Sequence, residues 1–197
     1  MNDALAQVRQ ALTRPGRATS DYDLNPGFAL PEGRILRPAA VLVGFQPGGR
    51  GLRVILTKRA SHLNHHPGQI AFPGGKVDGT DRDAQGAALR EAAEEIGLPP
   101  GAATVLGLSD PHETVTGFNV TPVFAAIAPE FRPTRQESEV EEVFSVPFAH
   151  VADLGNYRVE SRLWQGQVRR YYAVPYGPYY IWGATARILR ALADRMG

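Results

Sequence analysis

GKVDGTDRDAQGAALREAAEEIGL, from Gly75 to Leu98, runs from a glycine-marked segment into a helical stretch that gathers Glu91, Glu94 and Glu95. Residues three and four apart share one face of a helix, so Glu91 stands beside both Glu94 and Glu95. Like charges at this spacing destabilise a bare helix by roughly 0.2–0.5 kcal/mol per pair. A hard divalent cation held through oxygen removes that repulsion, and so do nearby arginines such as Arg82 and Arg90. The triplet alone therefore does not choose between a solvated acidic face and a metal site. Upstream, FPGGKVDG (Phe72 to Gly79) carries Pro73, Gly74, Gly75 and Gly79, so its backbone can turn tightly and approach a ligand closely. A loop of that kind feeding a carboxylate helix is an active-site architecture. Asp83 or Thr80 caps the helix, Gly97 lies just past its end, and Pro99-Pro100 forbids continuation.

Working outward, Val41 to Phe45 and Leu52 to Thr57 read as strands joined by a hairpin turn at QPGGRG, so Lys58 and Arg59 emerge at a strand end. Thr104 to Leu108, Val120 to Ala128, Arg158 to Leu163 and Val168 to Val174 read as further strands, the last two joined through WQGQ. Ala4, Leu5, Val8, Ala11 and Leu12 recur at helical spacing until Pro15-Gly16, which predicts a short amphipathic helix over 2–13. Ile181 to Met196 closes the chain as a helix. Strands on both sides of the carboxylate helix, with helices at both ends, predict an α/β fold with a mixed β-sheet covered on both faces.

The 197 residues, with ordinary apolar and charged fractions, describe one domain over 1–197. A net charge of +1 leaves no bulk electrostatic footprint for nucleic acid or an anionic membrane, so any anion must be bound locally. The cysteine count is zero, which excludes a disulfide framework, a zinc–thiolate site and a thiol nucleophile. The N-terminus lacks the basic start and apolar run of a secretory signal, and no segment reaches the roughly 18 apolar residues of a membrane span. These absences point to a cytoplasmic protein. Nothing in the sequence sets its oligomeric state.

Two linked motifs resemble a known family. Arg90, Glu91, Glu94, Glu95, Gly97 and Leu98 fall in register with the right half of the Nudix box, with Ala92 at its aliphatic place. The left half departs: counting from Gly75, Asp81 stands where the box has glutamate, and the gap before Arg90 is one residue longer. Just upstream, ILTKRASHLNHHPGQIAFPGG (Ile55 to Gly75) resembles the signature of the Nudix branch that hydrolyses coenzyme A. Thr57, Arg59, Ala60, Gly68, Phe72, Pro73, Gly74 and Gly75 fit it, whereas Asn64 occupies a place usually held by arginine. IWGATARIL (Ile181 to Leu189) is similar to the closing helix of that branch, so the resemblance spans about residues 35 to 190.

The resemblance implies an α/β/α sandwich. It also implies metal-dependent hydrolysis of the pyrophosphate of coenzyme A, or a derivative, to 3′,5′-ADP and 4′-phosphopantetheine. By the same resemblance, Glu91, Glu94 and Glu95 hold Mg²⁺ or Mn²⁺, with the Gly75 carbonyl as a further ligand and Arg90 orienting a glutamate. The general base is Glu94 or a glutamate of the ESEVEE segment, namely Glu139, Glu141 or Glu142. That segment otherwise reads as a solvated acidic run. Lys58, Arg59, His62, His65 and His66 supply cations beside the glycine loop. Arg59 leads them because a planar guanidinium suits phosphate, and His66 and Lys58 are candidates with it. Phe72 packs either against substrate or in the core, and core packing is favoured for Tyr179, Tyr180 and Trp182. Two other readings stay open: a Nudix hydrolase for ADP-ribose or NADH, and a non-catalytic nucleotide-binding module.

Overall fold

Alternation of side chains along two long strands decides the layering. In the computed structural model, which describes residues 2–28, 33–63, 66–164 and 166–197, helix α1 (Asn2–Thr13) and strand β1 (Thr19–Ser20) precede the central strands β2 (Arg37–Gly48) and β3 (Gly51–Arg59). Strands β4 (Ile70–Ala71) and β5 (Gly74–Lys76) then lead into helix α2 (Ala84–Ile96). After it come β6 (Ala103–Leu108), β7 (His112–Glu113), β8 (Phe118–Ile127) and β9 (Val140–Pro147). The chain closes with α3 (Phe148–Ala152), the hairpin β10 (Arg158–Trp164) and β11 (Gln167–Ala173), and α4 (Gly183–Asp194).

Nine strands form one mixed sheet in which β2 runs parallel to β8 and antiparallel to β3 and β5. Successive side chains of a strand point to opposite faces. Val43 and Phe45 of β2, with Val54 and Leu56 of β3, therefore face α1, α3 and α4, where Val8, Phe148 and Leu189 meet them. Ala40 and Leu42, with Ile55 of β3 and Val123, Ala125 and Ile127 of β8, face α2. The result is an α/β/α sandwich with a mixed sheet, as the sequence implies. Among the described residues, no helix is long and apolar enough to cross a membrane.

Helix α2 lies close to the sheet because its buried face is mostly alanine: Ala87, Ala88 and Ala92, followed by Ile96. Asp83, not Thr80, is its N-cap, accepting from the Gly86 amide at 2.8 Å. Gly97 ends it in the left-handed region at φ 68°, its N–H returning to Ala93 and that of Leu98 to Ala92. This double return satisfies the last carbonyls of the helix and favours glycine.

Four expectations change in detail. The β2–β3 strands extend beyond the apolar runs, pairing Gly48 with Gly51, so the turn is only Gly49-Arg50. Gly74-Gly75-Lys76, read as a turning loop, is a strand paired with Val41, Ala40 and Ala39. The ESEVEE run is half strand: Val140, Glu142 and Val143 pair with Arg59, Lys58 and Thr57. The closing helix begins at Gly183, because Ile181 is consumed as buried core before it.

Candidate active site

The carboxylate helix meets strand β5 end to side. Glu95 sits one turn beyond Glu91 on the inward face, only 4% exposed, and its Oε2 accepts from the Gly74 amide at 3.2 Å. The Glu91 carboxylate lies directly against Gly75, where a Cβ would collide with it, so this glycine makes room for an acid. A side chain at Gly74 would in turn strike the Ala40 carbonyl and Val41 of β2. Both glycines of the motif are thus required by close approach.

Arg90 knits the motif together. Its Nε and Nη2 donate to both oxygens of Asp81, each at 2.9 Å, its Nη2 also to the Lys76 carbonyl at 3.2 Å, and its Nη1 to Glu91 at 3.0 Å and Glu94 at 3.1 Å. Asp81 accepts the Asp78 amide as well. The shorter acid at the position where the Nudix box has glutamate therefore anchors Arg90, and the Arg90 fork holds its carboxyl below the usual range. All three guanidinium nitrogens of Arg90 thus donate to protein groups, with the side chain 28% exposed.

Burial pushes the Glu95 carboxyl up to about 7, with the negative charges of Glu91 and Glu139 adding to it and the Gly74 amide and Arg59 opposing. Burial likewise raises Glu91, against the pull of Arg90. Among the described residues, no three acidic or histidine side chains form a ready metal cage. The donor set nonetheless fits a hard divalent cation. It consists of carboxylate oxygens, one of them buried with a single amide donor and crowded by two further acids, and a cation would relieve that arrangement.

Beside this motif opens a cleft of two adjoining cavities, about 680 and 240 Å³, that share Val41, Arg59, His66 and Thr116 as walls. Gly74, Gly75 and Lys76 line the larger one. Arg59 reaches into the cleft with its Nε buried and, among the described residues, without a hydrogen-bond partner. His66 lines both cavities, its backbone in the left-handed region at φ 55°. Phe72 is 4% exposed, belongs to the core, and contributes one wall of the smaller cavity.

Lys58, one residue earlier on β3, does not line this cleft. Its Nζ binds Glu141 at 2.6 Å, and Ser61 holds the other oxygen of that glutamate. The register with β9 shifts between these two residues, and only Arg59 of the pair lines the cavity. His62 binds the Ser138 carbonyl at 3.1 Å. Asn64 and His65 lie outside the described residues.

Several cleft residues escaped the sequence reading. Arg37 stacks over Phe118 at 4.0 Å in the larger cavity, and Asp21, Arg162, Arg169 and Trp182 line the smaller one. Trp182 is half-buried and Tyr180 is 40% exposed, so neither is the core residue expected of it. The signal available for the hairpin arginines was the recurrence of arginine in the strand-like segments RVESRLW and QVRRYYA.

Comparison with known proteins gives consistent results. A family model described as the NUDIX domain matches residues 35–165. The chain is 45% identical over 165 residues to NudL of Salmonella paratyphi B, described as an uncharacterized Nudix hydrolase, covering 82% of this chain and 83% of that one. NudL of Escherichia coli is 44% identical over the same coverage. Among solved structures, RenU, a Nudix hydrolase of M. smegmatis, is 27% identical with a TM-score of 0.50, covering 62% of this chain and 84% of that chain. The NUDIX domain of Shewanella oneidensis NrtR, solved with ADP ribose, has a TM-score of 0.52 at 18% identity, over 90% and 97% of the two chains, a likeness of fold.

Proposed function

Because the chain belongs to the Nudix hydrolase family, we propose that it hydrolyses the pyrophosphate of a nucleoside diphosphate derivative, with coenzyme A as the foremost substrate. The observation that carries this is the buried Glu95 and adjacent Glu91 packed on Gly74-Gly75 at the wall of a cleft where Arg59 presents an unpartnered buried donor. Support for coenzyme A comes from the Thr57 to Gly75 signature. Asn64, in the place usually held by arginine, favours a second reading with a broader range that includes ADP-ribose and NADH.

Glu91, Glu95 and Glu94, with the Gly75 carbonyl, would hold Mg²⁺ or Mn²⁺, which supplies charge neutralisation at the phosphate oxygens and acidifies a water. Arg59 binds a phosphate of the substrate through its forked N–H groups and orients it. Water attacks one phosphorus, the bridging P–O bond breaks, and the two phosphate monoesters leave. The proton lost by the water passes to a carboxylate within about 2.6–3.2 Å. Glu139 is the base we assign. Glu141 is engaged by Lys58 and Ser61, Glu142 accepts from Tyr179, and Glu94 is tied to Arg90. Glu139 couples electrostatically to both Glu91 and Glu95, and among the described residues its side chain has no hydrogen-bond partner.

The test is incubation of coenzyme A, ADP-ribose and NADH with Mg²⁺ or Mn²⁺ in ¹⁸O-water, with products and label followed by mass spectrometry. The highest specificity constant on coenzyme A supports the main reading, and a higher one on ADP-ribose or NADH supports the second. Ligand binding without product on all three would reduce the chain to a nucleotide-binding module. Glu139→Gln should lower kcat while Mn²⁺ affinity stays unchanged.

A further inference from the structure

The hairpin β10–β11 places Arg162 directly opposite Arg169. Like charges facing each other across two antiparallel strands are destabilising, so the pairing needs a reason. Arg169 is 5% exposed and is neutralised by Asp21, its Nη2 lying 2.9 Å from Oδ2, while its Nε is buried without a hydrogen-bond partner. Arg162 has no carboxylate: among the described residues it makes no ion pair and no side-chain hydrogen bond. Glu160, two residues along on the same strand face, is engaged by the Tyr180 hydroxyl at 2.5 Å. Arg162 instead lies over the Trp182 ring at 4.4 Å. That ring is steadied by Tyr171, whose centroid is 5.0 Å away, and by a backbone bridge from Trp182 to Ala173.

Both arginines and Trp182 line the smaller cavity together with Arg59. Three arginines and one carboxylate, Asp21, therefore face this space, with His66 beside them. An aromatic platform holds a guanidinium in place while leaving its in-plane donors open, and those donors match the oxygens of a phosphate. Gly74 and Gly75, against which the carboxylate helix packs, line the other cavity. The carboxylate motif and the pair Arg162 and Arg169 thus lie at different ends of one cleft, with Arg59 shared between them.

We propose that Arg162, held on Trp182 and set against Arg169, forms a second anion subsite that reads a phosphomonoester on the nucleotide apart from the scissile diphosphate. This rests on the nucleotide-diphosphate reading above and makes Arg162 a specificity-determining residue. The subsite favours a nucleotide bearing an additional ribose phosphate over the same nucleotide without it.

The experiment compares coenzyme A with dephospho-coenzyme A on the full chain with Mg²⁺, in wild type, Arg162→Ala and Arg162→Lys. Arg162→Ala is expected to raise KM for coenzyme A about 10-fold, within the range of one charged hydrogen bond, with kcat within about twofold. Its constants for dephospho-coenzyme A should not move, and Arg162→Lys should recover part of the loss. Equal changes on both substrates, or none on either, would overturn the subsite. Calorimetry of adenosine 3′,5′-bisphosphate against AMP gives a readout independent of turnover. A preference for the bisphosphate that Arg162→Ala removes supports the subsite even if wild type hydrolyses neither coenzyme, an outcome that would sink the proposed function alone. Equal binding of the two nucleotides by wild type would overturn it.

Discussion

The two ends of the cleft are built by opposite strategies. At one end, Gly74 to Glu95 is a single local run in which Asp81, Arg90, Glu91 and Glu94 bind one another within a few turns of chain. At the other, Asp21, Arg59, Arg162, Arg169 and Trp182 come from five separate segments and meet only because the sheet, the hairpin and α4 are folded together. The local end crowds acids around buried oxygen donors; the assembled end crowds arginines around an open cavity. The carboxylate motif is contiguous in the chain, whereas the cavity proposed to read the substrate is assembled only by tertiary placement.

The sharpest way to break this contrast is at the local end. Glu95→Gln should lower kcat by on the order of 100-fold or more, since even partners of metal ligands are worth about 10–100-fold. Its thermal stability without metal should be equal or higher, because a buried carboxylate is disfavoured by desolvation. Retained activity in a stopped or coupled phosphate assay would remove Glu95 from the chemistry. Where the two ends meet, Arg59→Ala should cost kcat/KM about 10-fold to 100-fold, corresponding to a charged hydrogen bond of about 1.5–3 kcal/mol. Unlike Arg162→Ala, it should affect every diphosphate substrate alike. A loss confined to one substrate would move Arg59 from the diphosphate to the far subsite.

At the assembled end, stability carries a pH signature. Burial alone would raise the Asp21 carboxyl, but nearby His112, the charge of Arg169 and the Val115 amide outweigh it and hold it below its ordinary 3.8. A depressed folded value means that the stabilisation is fully present above the unfolded value and is lost as pH falls through the folded one. Urea titrations down the acid limb should show Asp21→Asn with a shallower slope, the difference being at most about 1.4 kcal/mol per pH unit for one proton. Parallel curves would show that Asp21 does not carry this linkage. The smallest effect belongs to the helix end: Gly97→Ala forces a methyl into a left-handed conformation, with Thr134 only 3.2 Å from the new carbon. A loss of about 1–2 kcal/mol in denaturant stability is expected, with the specificity constants unchanged once the protein is folded.

The sandwich and its carboxylate helix were legible because their signals are periodic or adjacent. Alternation in β2 and β3, the Asp83 cap, the Gly97 stop and the alanine face of α2 each act over a few residues. What escaped was direction and distance. Lys58 and Arg59 look interchangeable in the chain, yet the sheet register shifts between them and one binds Glu141 while the other lines the cleft. The acidic run ESEVEE looks solvated, and Glu137 to Glu139 are exposed, yet Val140 to Glu142 belong to a strand paired with β3 and the charge of Glu139 is felt by Glu95. Tyr180 and Trp182 look like core because aromatic residues usually are, yet Tyr180 is 40% exposed and Trp182 is a cavity wall beside the hairpin.

By itself the sequence determined that this chain forms a mixed sheet between helices and that three glutamates share one helical face beside a glycine pair. Local backbone preference and side-chain period are sufficient for both. Only the tertiary structure decided that Asp81 would grip Arg90, that Glu95 would be buried at the Gly74 amide, and that Arg162 and Arg169 would face one cavity with Arg59. Those outcomes depend on how separate elements pack, within the Gly74 to Glu95 run as well as between segments far apart in the chain. Their energies come from burial and charge pairing that exist only once the sheet, hairpin and closing helix have come together.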